Sequence, residues 1–312
     1  RRPDLTRRVF ERIAEAKPAK LLLVADGPNG REEFAACDQA RGAVSRVTWP
    51  CDVQTLFAAK NLGCRARLSS GLDWVFNQVE EAIILEDDCL PDRTFFRYCQ
   101  EQLDFFREDS RVGHIAGVNL LSGFRRTQYS YYFSRYNCVW GWATWRRAWC
   151  CYDVDASLWP ELRAQGWHHD IYPDRRQARI FRQRMDSVMD GLDTWDYQWL
   201  FCRLANGMHA VIPDRNLVTN IGFGAGASHT NVSAGNPLAD LPTEPMDFPL
   251  RRPPCMVFDS VSDRRFAELW LMQRDNVVAK VWSRITNIHL YGAVLRRLPI
   301  LGPAWARWRA RR

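Results

Sequence analysis

The stretch Ile83-Ile84-Leu85-Glu86-Asp87-Asp88-Cys89-Leu90-Pro91 sets three adjacent carboxylates at the end of an apolar run. Ala82 to Leu85 reads as a short buried strand, and Pro91 keeps it from continuing as a central one. Three acids at the C-terminal end of such a strand repel one another and lose hydration. A cation offsets that cost. Mg²⁺ and Mn²⁺ prefer carboxylate oxygens and often bridge to phosphates, so the pattern points to a divalent ion carrying a phosphorylated ligand. The plain alternative is a strand end with hydrated acids. Its place in an α/β pattern favours the ligand, because ligands of open α/β sheets bind beyond the carboxyl ends of strands.

Other residues have the types for complementary chemistry. Thr194-Trp195-Asp196-Tyr197-Gln198-Trp199 places one acid among aromatics. Burial there tends to raise its pKa and fit it to take a proton from a hydroxyl. Asp196, or Asp193 in reserve, equally suits a helix N-cap. Trp140-Gly141-Trp142-Ala143-Thr144-Trp145 packs three indoles around a glycine. Their N–H groups need partners if buried, and Gly141 lets backbone approach a ligand. An aromatic core corner is the other reading, more so for Trp145 and Trp149 than for Trp142. Asp26 ends a Leu-Leu-Leu-Val run at Asp26-Gly27-Pro28-Asn29-Gly30, where an acid caps a turn. Asn61-Leu62-Gly63 forms a loop able to approach a diphosphate closely, with Arg65 or Arg67 to neutralise it.

These residues need a frame. Apolar spacing predicts helices over 3–16, 31–41, 69–78 and 95–106, and strands over 20–25, 44–49, 83–85, 112–116, 129–134 and 207–213. The alternation implies a parallel, doubly wound sheet. Such folds usually begin with a strand, yet this chain opens on a helix, so a strand is expected upstream. Residues 222–254 read as a loop that orders on ligand binding. From Phe266 the tail is helical. Its last part sets Trp305 and Trp308 among Arg297, Arg307, Arg309, Arg311 and Arg312. That segment docks on the domain, binds a partner or lies on an anionic membrane. The expected organisation is a domain over 1–254 and a basic helical extension over 255–312.

The net charge of +7 comes with no recognition helix, zinc-finger spacing or RRM-type motif, which argues against nucleic acid. An anionic substrate or an acidic membrane surface accounts for it instead. The 14 Trp suit sugar faces as well as cores. Ten Cys include no CxxC pair, so zinc is not expected. No signal peptide and no apolar span of about 18 residues is seen. The thiols therefore read as reduced, in a cytoplasmic protein.

The order of Asp26, Asn61-Leu62-Gly63, Ile83 to Pro91, Trp140-Gly141-Trp142, Thr194 to Trp199 and Ser228-His229 resembles the GT-A fold, nucleotide-sugar-dependent glycosyltransferases. It is most similar to bacterial family 2-type enzymes and the eukaryotic N-acetylglucosaminyltransferase I group, over residues 3–232. The resemblance implies a Rossmann-like, mostly parallel α/β sheet flanked by helices. It implies inverting transfer of a sugar from a nucleoside diphosphate sugar, UDP-linked by preference, to a glycan or lipid-linked hydroxyl in surface glycan synthesis. Asp26 would meet the nucleobase. Asn61, Gly63 and Arg67 would lie at the diphosphate, Glu86 and Asp87 near the ribose, and Gly141 and Trp142 at the sugar. Asp88 would hold Mn²⁺ or Mg²⁺, with His229 completing the metal site, and Asp196 would be the general base. Two rivals share the fold: a sugar-phosphate nucleotidyltransferase, and a non-catalytic carbohydrate-binding or scaffold domain.

Overall fold

A computed structural model describes residues 1–121, 123–124, 127–223 and 241–271. His229 and the basic tail around Trp305 lie outside these. The chain divides into two units, Arg1–Phe266 and Ala267–Arg312. Of the second, only the π-helical turn Ala267–Leu271 is described.

The first unit is mixed α/β. Helix α1 (Pro3–Ala16) has proline in its first turn and stops at Lys17, which is left-handed. Strand β1 (Lys20–Ala25) runs parallel to β2 (Asp52–Phe57), with Lys20 opposite Asp52. Between them lies α2 (Phe34–Ala43). The expected strand at 44–49 is displaced beyond Pro50. Its actual sequence, Asp-Val-Gln-Thr-Leu-Phe, is largely exposed, as an edge strand permits. Next come α3 (Cys64–Phe76), β3 (Glu81–Ile84), β4 (Cys89–Pro91), α4 (Thr94–Phe105), β5 (Val112–Ala116), β6 (Tyr131–Ser134) and β7 (Trp142–Trp145). Helices α5 (Arg146–Trp149), α6 (Trp159–Ala164), α7 (Trp167–Ile171), α8 (Arg175–Met189) and α9 (Asp196–Ala205) follow. Strands β8 (His209–Pro213) and β9 (Val218–Asn220) and helix α10 (Ser260–Phe266) complete the unit.

The main sheet has the order β3-β7-β5-β8-β6. Only β5 and β8 pair in parallel; β3/β7, β7/β5 and β8/β6 are antiparallel. The expectation of a mostly parallel sheet is therefore corrected to a mixed, mainly antiparallel one. The cause is β7, the Trp-rich segment. It inserts antiparallel between β3 and β5, which consequently run in the same direction as each other.

Helix α3 covers two strands that do not hydrogen-bond to each other. Gly71 lies so close to β1 that an added Cβ would sit 2.6 Å from Val24 Cγ1. Leu72 and Phe76 join the cluster against which Ala82 and Ile84 of β3 pack. All residues of β1 and β3 are half-buried.

The core beneath the site is aromatic. Trp142, Trp149, Trp195 and Trp199 form one cluster, with ring centroids 5.3–6.4 Å apart. At such spacings, tilted and offset aromatic pairs add stability beyond their buried area.

Candidate acidic site at the strand ends

The C-terminal ends of β1, β2 and β3 and the first turns of α3 and α9 carry most of the residues selected from the sequence. Asp26, one residue past β1, ties down the loop after β2. Its Oδ1 accepts from the Gly27 and Leu62 amides at 2.8 and 2.9 Å, and its Oδ2 from the Gly63 amide at 3.2 Å. Asn61 donates to the Gly27 carbonyl at 3.2 Å and accepts from the Gly63 amide at 3.2 Å. Asp26 thus acts as the turn-capping acid. Gly63 has φ +84, and an added Cβ would lie 3.0 Å from Asp193 Oδ2. Asp193 in turn accepts from the Cys64 and Arg65 amides at 3.0 and 2.8 Å. It caps α3, not the helix that follows it in sequence. This long-range cap explains why α3 begins at Cys64 and not near Ser69.

Asp196 is the first residue of α9 and makes no cap bond to the helix amides. Thr194 Oγ1 donates to its Oδ1, and Gln198 Nε2 to the Thr194 carbonyl at 2.7 Å. Trp195 and Trp199 turn into the core, 3% and 0% exposed, and anchor the helix below the acid.

Asp87 and Asp88 converge on Arg2. Arg2 Nε donates to Asp87 Oδ2 at 3.1 Å and Nη1 to Asp88 Oδ2 at 2.9 Å, and Nη2 bonds Asp87 Oδ1. The cation that the three acids call for is, among the described residues, an arginine of the same chain. Burial works against the Arg2 charge, but the bonds and charges of Asp87 and Asp88 hold it above its usual pKa. Burial also raises the Asp88 carboxyl, which Arg2 partly offsets. Glu86 is pushed up to about 8, by burial first and then by Asp88, Asp87 and Asp196. It is the link between the acid cluster and Asp196. Cys64 stands among Glu86, Asp193, Asp196 and Asp26, and burial with those charges pushes its thiol up to about 12. It is therefore no thiolate nucleophile. All ten cysteines are free.

The chain after β9 passes over the cluster. The Ile221 amide donates to the Asp88 carbonyl at 2.8 Å. A Cβ on Gly222 would come within 2.2 Å of Asp88 Oδ2 and 2.8 Å of Arg2 Nη1. Phe223 then meets Trp140 edge-on at 5.5 Å.

Three selected residues sit elsewhere. Arg67 is 6% exposed and donates to the Leu56 carbonyl of β2; burial lowers its pKa, with Asp26 raising it. Arg65, the alternative, is half-buried in the first turn of α3. Trp142 is 0% exposed and stacks on His114 at 5.0 Å. It belongs to the core, and the half-exposed indole of that segment is Trp140. The indole N–H groups of Trp142 and Trp145 are buried without a hydrogen-bond partner. Gly141 has φ +68, and its close neighbours are Val218 at 2.8 Å and Leu85 at 3.2 Å from an added Cβ, so it serves packing, not a ligand. Gly141→Ala is expected to cost about 2–4 kcal/mol, combining left-handed strain with overpacking. A urea titration checks this; an unchanged midpoint would refute it.

Arg2, Cys64 and Trp140 were not legible as site residues. The partner of Arg2 lies 85 positions away, and no local pattern marks such a pair.

Among the described residues, no group of three His, Cys, Asp or Glu side chains is placed to hold a metal ion unaided. Asp87 and Asp88 nevertheless aim at one positive group. Such a pair suits a hard ion whose shell is completed by substrate phosphates. No family model matches the chain, and no curated protein matches it. Among the described residues, no helix is long and apolar enough to cross a membrane.

Proposed function

We propose that the protein is a metal-dependent, inverting glycosyltransferase of the GT-A type, acting on a nucleoside diphosphate sugar and an acceptor hydroxyl. One observation carries this. Asp26, the Glu86–Asp88 cluster and the Asp193–Asp196 segment are far apart in sequence, yet their charges meet around Cys64 and Glu86 at one strand-end edge. The 61–63 loop, held by Asp26, lies at the same edge as the element that presents the donor diphosphate. Asp88, with Asp87 beside it, would hold the ion. Bound Mn²⁺ or Mg²⁺ would supply positive charge to the departing nucleoside diphosphate. Asp196 accepts the acceptor's proton as its oxygen attacks the anomeric carbon from the opposite face.

A thermal-shift panel of nucleoside diphosphates and their sugars, with and without Mn²⁺, tests the reading. A ligand at 100 times its Kd adds about 2.7 kcal/mol. One nucleotide is expected to raise the melting temperature only when the ion is present, and Asp88→Asn is expected to abolish that rise. A panel with no ion-dependent shift would sink the proposal.

A non-catalytic domain of the same fold is the second reading. It is favoured by the salt bridges of Arg2 to both Asp87 and Asp88, which offset part of the cluster's charge without a metal. Mn²⁺-dependent hydrolysis of a nucleotide sugar, lost in Asp88→Asn, would exclude it.

A further inference from the structure

A cleft of about 410 Å³ lies away from the acidic site, lined by His168, His169, Arg175, Arg176, Arg179 and Arg182. Volumes of this size suit small ligands. The four arginines stand on the first half of α8, while the segment carrying Asp193 and Asp196 follows its far end. Helix α8 has 15 residues, so the two ends are separated by roughly 22 Å.

The lining of this cleft contains no carboxylate among the described residues. Arg175 and Arg179, Arg176 and Arg179, and Arg179 and Arg182 are like-charged pairs at helical spacings of four and three, an arrangement that destabilises a bare helix. Two acids close to the arginines in sequence, Asp174 and Asp186, are already engaged. Asp174 caps α8, accepting from the Arg176 and Gln177 amides, both at 2.9 Å. Asp186 pairs with Arg163 at 2.7 Å and accepts from Trp159 Nε1 at 3.2 Å. The helix amides are therefore satisfied by the chain, and the positive character of the cleft comes from side chains.

Two buried polar atoms in its wall lack partners. His168 is 5% exposed, and its Nδ1 makes no hydrogen bond. Arg182 Nε is likewise buried and unpaired. Buried polar groups are normally satisfied, so each such atom calls for an explanation.

We propose that this cleft is a binding site for a ligand carrying two or more phosphate or sulfate groups, bound without a metal ion. Guanidinium forks match the oxygens of such groups in pairs. From Arg175 to Arg182 the helix rises roughly 10 Å, more than a single oxyanion spans. Burial, then the charges of His169 and Arg182, lowers the His168 pKa against Asp186, with Arg163 adding to the lowering. An arriving anion offsets those positive charges and favours a proton on the ring.

The test is isothermal titration of the whole chain in EDTA, which disables any ion-dependent site. Inorganic tripolyphosphate and a multiply sulfated disaccharide are the two probes, with sulfate ion as the reference. At least one probe is expected to bind tenfold or more tighter than sulfate, and the tighter of the two identifies the source as phosphate or sulfated glycan. Arg176→Gln/Arg179→Gln is expected to weaken that probe at least tenfold. Both positions are exposed, so the variant keeps its fold. Asp88→Asn is expected to bind as the parent does, which separates this site from the proposed transferase site. Equal binding by the parent and the double arginine variant overturns the proposal, as does binding no tighter than sulfate.

Discussion

Asp196→Asn is expected to lower sugar transfer by roughly 10²–10⁴-fold, the range a general base contributes. Ion-dependent nucleotide binding and the melting temperature should stay at parental values. Asparagine keeps the shape of the side chain, and its carbonyl can still accept from Thr194 Oγ1, the bond that Asp196 Oδ1 makes now. What it loses is the ability to take a proton. The helix around it is fixed independently, by Trp195 and Trp199 in the core and by the Gln198 bond to the Thr194 carbonyl. Asp193→Asn should behave differently. Asp193 caps α3 through the Cys64 and Arg65 amides, so its loss acts on stability, by about 1 kcal/mol for a cap. Full transfer activity in Asp196→Asn, or equal loss of nucleotide binding, would remove Asp196 from the base role.

The contrast between these two acids shows what a sequence can carry. Both are three residues or fewer from the start of α9, and either could cap it by local rules. The structure sends Asp193 to a different helix start, across 129 positions to Cys64. Local propensity cannot see such a partner. The same limit moved the start of α3 and hid Arg2. It also explains the sheet. Strand–helix alternation correctly located β1, β3, β5 and β8, whose apolar runs are short and bounded by turn signals. It could not set the direction of β7, because four tryptophan-rich residues carry no directional signal. The acid cluster was legible for a different reason. Its cost, three carboxylates at a strand end, is a property of the local sequence and demands a cation wherever the chain goes. The identity of that cation was not local. Trp142 lies in the core and not in a pocket; composition marks a cluster of indoles but not which of them faces inward. The place of β7 between β3 and β5, which buries all four of its residues, and the left-handed turn at Gly141, which separates it from half-exposed Trp140, decide that.

The aromatic core should also set the acid sensitivity of the fold, through His114. This ring is 0% exposed and lies stacked on Trp142. Its Nδ1 accepts from Trp199 Nε1 at 3.2 Å, which leaves Nε2 to carry the hydrogen and donate to the Cys138 carbonyl at 3.1 Å. A second proton, on Nδ1, would meet the Trp199 N–H. It would also place a buried charge near Arg203, which is itself 0% exposed. Burial first, and the Arg203 charge second, depress the His114 pKa from 6.5 to about 3. The unfolded chain then binds more protons than the folded one between those values, so stability contributed by the neutral ring is complete above pH 6.5 and falls as the pH drops toward 3. At about 1.4 kcal/mol per pH unit, the loss by pH 4.5 has an upper bound of ~2.7 kcal/mol. His114→Gln can keep both hydrogen bonds through its amide. It is expected to be less stable than the parent at pH 7, from the lost stacking, but to close that gap as the pH falls to about 4.5. His168 and His209 are also lowered by burial, and Glu86 is raised and acts in the opposite sense. These groups are common to both proteins, so the difference between the two denaturation curves isolates His114. Urea titrations at several pH values measure it, and parallel curves would show that His114 is not held neutral by the fold.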